Sequence, residues 1–165
     1  NIPFVIECLR AAVHVPDAFF VICGSGTEYG KLQTFVEAEK YSNFLLLSGL
    51  PRADYDKLVR SCHVGLLFLD HRFTIPNFPS RLLSYLQAGL PVIACTDPAT
   101  DIGDIAQAGG FGWKCPSDDP AAFVRTVERA CSADLAAMGD AGRMYFSAHY
   151  TAEQSYEIIM RGLER

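Results

Sequence analysis

The sequence predicts an α/β protein: a Rossmann-like, doubly wound parallel sheet with helices on both faces, built as one domain over residues 1–165. Three observations predict it. Short continuous apolar runs, the pattern of strands buried on both faces, alternate with longer segments of helical period along the whole chain. Glycine and proline punctuate the joins between them. A length of 165 residues suits one domain and allows about 70% of the unfolded surface to be buried. Strands alternating with helices imply βαβ units, and right-handed crossovers then place helices on both faces.

The elements follow in order. Ile2, Ile6, Leu9 and Val13 recur at helical spacing behind Asn1, a plausible N-cap, so 2–14 reads as a helix. Residues 19–23 form an apolar run ending at glycine and read as a strand. A helix over 28–40 turns Leu32, Phe35 and Val36 inward, and 44–47 is the next strand. The helix over 52–62 carries Tyr55, Leu58, Val59 and Cys62 on one face, and 64–69 is the third strand. A polar loop at 70–78 leads to a helix opened by Pro79 and closed by Gly89. Residues 91–95 are the fourth strand, 102–108 a short helix capped by Thr100 or Asp101, and 111–114 the fifth strand. Pro120 starts a helix to 131, and Ser132 caps one carrying Leu135, Met138 and Tyr145. Thr151 and Gln154 form a capping box for the last helix, with Tyr156, Ile159 and Leu163 inward.

Composition narrows the function. A net charge of −5 argues against a nucleic-acid binder, which would show a basic face. No apolar run approaches the roughly 20 residues that cross a bilayer. The six cysteines lack any CxxC pair and read as reduced thiols, with Cys8, Cys62 and Cys131 on apolar helix faces. These features point to a cytoplasmic setting. The chain begins with Asn1, which reads as part of something longer.

In a doubly wound sheet the ligand crevice lies beyond the carboxyl ends of the strands. The loops at 24–27, 48–52, 69–80 and 96–101 therefore come first. The third holds Asn77-Phe78-Pro79-Ser80-Arg81 at a helix N-terminus. Free N–H groups and the positive end of the helix dipole favour an anion there. Ser80 adds a hydroxyl, and Arg81 adds a planar cation able to grip two phosphate oxygens. A diphosphate fits that chemistry.

The run from Pro79 to Ala94, Pro-Ser-Arg-Leu-Leu-Ser-Tyr-Leu-Gln-Ala-Gly-Leu-Pro-Val-Ile-Ala, resembles the donor segment of family 4 (group 1) glycosyltransferases. The glycine loop Gly24-Ser25-Gly26-Thr27 resembles a second piece of that domain. The segment Gly49-Leu50-Pro51 resembles the stretch that meets the nucleobase. The resemblance covers roughly residues 4–160. It implies the C-terminal, donor-binding domain of a GT-B enzyme. A nucleoside diphosphate sugar, with UDP the family's usual carrier, is then the substrate and not a cofactor. It further implies transfer with retention, no metal, cell-surface polysaccharide synthesis as a setting, and peripheral membrane association of a full-length enzyme. Pro79, Ser80 and Arg81 would hold the diphosphate, and Asn77, Phe78 and Ser84 would lie near the donor sugar and ribose.

Two departures matter. The family carries two glutamates eight positions apart, and Pro76 and Ser84 stand there instead. The family's domain also opens with a strand and a phosphate-gripping loop ahead of its first helix, and this chain begins at that helix. The expectation is a domain inactive by itself, with an N-terminal domain of the same protein supplying the acceptor site. Competing readings are a non-catalytic module that has kept the fold and an epimerase of the same fold. A dinucleotide site at 24–30 is disfavoured, because the strand ending at Leu47 lacks the carboxylate that would hold a ribose. His71 and Arg72 stand before the donor loop within reach of a phosphate, although an exposed loop histidine is the blander reading. Trp113 reads as packing.

Overall fold

The structure, a computed structural model, describes residues 1–73, 75 and 77–163, so Pro76 lies outside the described residues. Strands and helices alternate as α1 (Ile2–Ala12), β1 (Phe20–Cys23), α2 (Tyr29–Glu39), β2 (Phe44–Leu47), α3 (Arg52–Ser61), β3 (Gly65–Phe68) and α4 (Arg81–Ala88). They continue as β4 (Val92–Thr96), α5 (Ile102–Ala108), β5 (Gly112–Pro116), α6 (Pro120–Cys131), α7 (Leu135–His149) and α8 (Ala152–Leu163). Every strand pair is parallel, as the alternation requires.

Period-two alternation along the strands separates two apolar layers. Leu66, Phe68, Ile93, Cys95, Trp113 and Cys115 face α1, α2 and α6 on one side. Leu67, Val92 and Ala94 face α4, α5 and α7 on the other. The sheet is thus covered on both faces. Phe123 of α6 is fully buried and sits 5.5 Å from the Phe68 ring and 6.2 Å from the Phe20 ring. On the opposite face Leu82 and Leu86 anchor α4, and each fully buried leucine contributes about 1.5–3 kcal/mol.

The strands do not form one continuous sheet. β2 pairs with β1, and β3 pairs with β4 and then β5, giving pieces of two and three strands. The free edges of β1 and β3 lie on either side of the position spanned by Phe123. α1, packed on α6, covers both pieces. Pairing between distant strands leaves no local mark in a sequence, so alternation alone could not reveal this interruption.

Four further expectations are corrected. The helix read from Pro79 begins at Arg81, because Ser80 takes the N-cap place and Pro79 O accepts from Leu82 N at 2.9 Å. α8 buries none of its residues, and Tyr156, Ile159 and Leu163 are 60–76% exposed. Its apolar stripe exists, but no described element packs on it. Cys131, the last residue of α6, is exposed because that turn ends beyond the core. At α5, neither Thr100 nor Asp101 makes a side-chain cap. Thr100 Oγ1 instead donates to Asp97 at 2.9 Å.

α4 is set tightly against α7. Gly89 closes α4 at φ 72°, a left-handed position that suits glycine, and its N–H reaches Leu86 O. Arg143 of α7 donates to Ala88 O at 3.4 Å and fills the space a Gly89 side chain would need. Gly139 lies directly over the Gly89 carbonyl. Small residues on both sides bring the two helix backbones together.

Candidate functional site

The carboxyl ends of the strands gather the loops that the sequence singled out. The first turn of α4 is open. Ser80 is exposed, and its hydroxyl makes no capping bond, so it is available to another acceptor or donor. Arg81, also exposed, extends toward α3. Its Nη1 donates to Tyr55 Oη at 2.7 Å, and its guanidinium carbon stands 5.2 Å from the Tyr55 ring centroid. Tyr55 is fixed in turn by its backbone N–H, which donates to Pro51 O at 2.9 Å. This chain of contacts joins the Gly49-Leu50-Pro51 segment to the α4 N-terminus. Gly49 there adopts φ 145°, which an L side chain rarely takes.

Other site residues divide clearly. Asn77 and Phe78 are exposed ahead of α4, and the Phe78 ring meets Tyr150 edge-on at 5.3 Å. Ser84 sits one turn into α4 and is half-buried. Pro79 is half-buried beneath the turn it starts. The glycine loop at 24–27 is exposed after β1, where Gly24 N donates to Leu47 O at 3.0 Å. Among the described residues it makes no hydrogen bond to the α4 N-terminus. The loop follows β1 and the helix end follows β3, strands of the two separate sheet pieces.

A cleft of about 390 Å³ opens on the same edge, lined in part by Asn1, Glu7, His71, Arg72, Ser117 and Asp118. Asp70 organises the near wall. Its carboxylate accepts from Arg72 Nε at 2.9 Å and Nη2 at 2.6 Å. The Arg72 guanidinium and backbone N–H hold the Asp70 carboxyl well below the usual carboxylate range. Arg72 is therefore committed to Asp70, while His71 Nδ1 stands 3.7 Å from the same carboxylate. Ser117 Oγ and Thr96 Oγ1, at the carboxyl ends of β5 and β4, are buried without a hydrogen-bond partner among the described residues. Asp97 beside Thr96 is fully buried and accepts from Ala99 N and Thr100 Oγ1, both at 2.9 Å. It stiffens the loop after β4.

Behind α4, burial pushes the Tyr85 phenol up to about 12, and its hydroxyl donates to Leu66 O at 3.4 Å. Among the described residues, no group of three or more His, Cys, Asp or Glu side chains is arranged to hold a metal ion. Nor, among the described residues, is any helix long and apolar enough to cross a membrane.

Comparison with known proteins decides the family. The family model described as "Glycosyl transferases group 1" matches residues 1–143. The chain belongs to the group 1 glycosyltransferases. A curated relative, "Probable glycosyltransferase WbjE" from Pseudomonas aeruginosa, is 25% identical over 155 residues. That match takes in 92% of this chain and 39% of the relative, so the chain spans well under half the relative's length. Two solved structures share the fold. The pneumococcal O-GlcNAc transferase GtfA, in complex with UDP and GlcNAc, gives a TM-score of 0.72 at 19% identity over 99% of this chain and 33% of that one. WaaG, a glycosyltransferase involved in lipopolysaccharide biosynthesis, gives 0.69 at 17% identity over 91% and 40%. Both are GT-B glycosyltransferases, in agreement with the fold expected from the sequence.

Sequence reasoning places the α4 N-terminus after the carboxyl end of β3, as the structure does, but misses two aromatic contacts made there. Helical spacing marks Tyr55 only as a member of α3's inward face, and it does not single out Tyr150. Arg81 and Tyr55 are 26 positions apart, and no motif links them.

Proposed function

We propose that this chain is the donor-binding domain of a group 1 glycosyltransferase that takes a sugar from a nucleoside diphosphate, with UDP the expected carrier. The observation that carries the reading is the α4 N-terminus. An uncommitted Ser80 hydroxyl and the Arg81 guanidinium stand at the sheet's carboxyl edge. Beside them the Ser80 and Arg81 backbone N–H groups have no partner among the described residues, whereas those of Leu82 and Leu83 already donate to Pro79 O and Ser80 O. Negative charge accumulates on the departing diphosphate during transfer. Fixed donors at that point stabilise it more than they stabilise the ground state. Asn77, Phe78 and Ser84 border the sugar and ribose, Gly49, Leu50 and Pro51 the base, and Gly24, Ser25, Gly26 and Thr27 the far side of the crevice. No step requires a metal.

The fold neighbours lend support. GtfA is described in complex with UDP and GlcNAc, and WaaG acts in lipopolysaccharide biosynthesis. In our reading the full-length enzyme acts with retention, at the cytoplasmic side and peripheral to the membrane, in cell-surface polysaccharide assembly, and the role of WaaG in lipopolysaccharide biosynthesis supports that last point. An N-terminal domain of the same protein supplies the acceptor site, and the 165 residues alone do not transfer sugar. The interrupted sheet leaves room for a further strand between the free edges of β1 and β3.

A second reading is a module that keeps nucleotide binding without transfer. Ser84, half-buried where the family carries a glutamate, favours it.

Titrating the full-length protein with UDP, GDP, NAD and a set of UDP-sugars, read by ligand-observed NMR, tests the proposal. The expected result is saturable binding of one nucleoside diphosphate, weakened tenfold or more by Arg81→Ala. Binding unchanged in that variant removes Arg81 from the site. Binding without sugar transfer to any acceptor favours the second reading.

A further inference from the structure

We infer that Tyr55 is a positioning residue that presents Arg81 to the donor diphosphate, an inference that rests on the reading of the α4 N-terminus above. An arginine at the first position of an exposed helix has a long, free side chain. Ordering it on a ligand costs rotamer entropy. Here that ordering is already present. Tyr55 takes one of the five guanidinium N–H donors through Oη at 2.7 Å and offers its ring face at 5.2 Å. Four donors remain for phosphate oxygens, and the plane of the fork is set.

The anchor itself is stiff. Tyr55 is half-buried, and its backbone is bonded to Pro51 at the start of α3. Tyrosine and not phenylalanine is needed for the full effect, because only the hydroxyl directs one N–H and so fixes the rotation of the guanidinium. The ring alone leaves that rotation free. Arg81 has no carboxylate partner among the described residues, so its charge is not neutralised. A phenol orients a cation while leaving its charge for the ligand. An aspartate in the same place would compete with the phosphate. Arg72 shows the contrast, since its paired Asp70 occupies the fork that would face a ligand.

The test compares Tyr55→Phe, Arg81→Ala and the double variant in the full-length protein, with UDP and uridine as probes. Pre-ordering one long side chain is worth roughly three- to tenfold in affinity. The expected result is that Tyr55→Phe weakens UDP by that factor, leaves uridine unchanged, and adds nothing in the Arg81→Ala background. Thermal melts of the same variants check that each is folded. Equal weakening of UDP and uridine would overturn the inference, because Tyr55 would then act through the base segment. So would wild-type UDP affinity in Tyr55→Phe while Arg81→Ala binds weakly. Wild-type UDP affinity in Arg81→Ala sinks the donor-site reading itself, and this inference with it.

Discussion

Gly139→Ala should destabilise the protein even though alanine is the better helix former. In mid-helix the exchange gains about 1 kcal/mol from propensity alone. At Gly139 an added methyl falls inside contact distance of the Gly89 carbonyl oxygen and 3.1 Å from its carbon. Both are backbone atoms, and Gly89 is pinned at φ 72° as the cap of α4, so neither can turn aside. α7 must then lift from α4 by about 1 Å, and a gap of that size forfeits a quarter to a half of each dispersion contact. Tyr145, Phe146 and Ala141 lose part of their packing against the layer holding Leu82, Leu86 and Phe111. Overpacking of this kind costs about 1–3 kcal/mol. Together with the looser packing along the rest of the interface, the net is about 2 kcal/mol of destabilisation, a fall in Tm of about 4–8 °C for a chain of this size. Gly162→Ala is the control. It lies in exposed α8 with nothing within 4 Å of the added methyl, and should leave Tm unchanged or slightly raised. Thermal unfolding by circular dichroism reads both. A Gly139→Ala melting point at or above wild type refutes the claim that α4 is seated on α7 by backbone contact.

Ser80→Ala should leave stability unchanged, although losing a serine N-cap ordinarily costs about 1 kcal/mol, because this hydroxyl makes no cap bond. The same variant should bind UDP roughly fivefold more weakly, the scale of one hydrogen bond. A lowered Tm with intact binding would reverse that assignment. Asp97→Ala strands Thr100 Oγ1 and Ala99 N in a buried loop and should cost about 3 kcal/mol in urea unfolding, with Asp97→Asn intermediate. A change under about 0.5 kcal/mol would show that the loop after β4 is held by other contacts. Tyr85 titrates in the unfolded chain near 10 and in the folded one near about 12, so the unfolded state loses its proton first. Its contribution is complete below pH 10 and declines as pH rises toward 12, by about 2–3 kcal/mol. Unfolding curves of wild type and Tyr85→Phe should diverge across that window, and parallel curves would show that the phenol is not buried as described.

The order and type of elements were legible in the sequence because each signal is local. A strand buried on both faces must be continuously apolar, as at 65–68 and 92–95. A helix laid on a sheet must repeat its apolar residues every three or four positions, as in α4 and α6. The helix end beside Ser80 and Arg81, where we propose that the diphosphate binds, was legible for the same reason, since its residues are neighbours in the chain. What the tertiary structure alone decided involves residues far apart. It split the sheet between β1 and β3, left the apolar stripe of α8 uncovered, and spent Arg72 on Asp70. It also set Arg81 against Tyr55, 26 positions away, and Gly139 against Gly89. Periodicity reports which side of an element wants burial. Only the packed chain determines what lies on the other side.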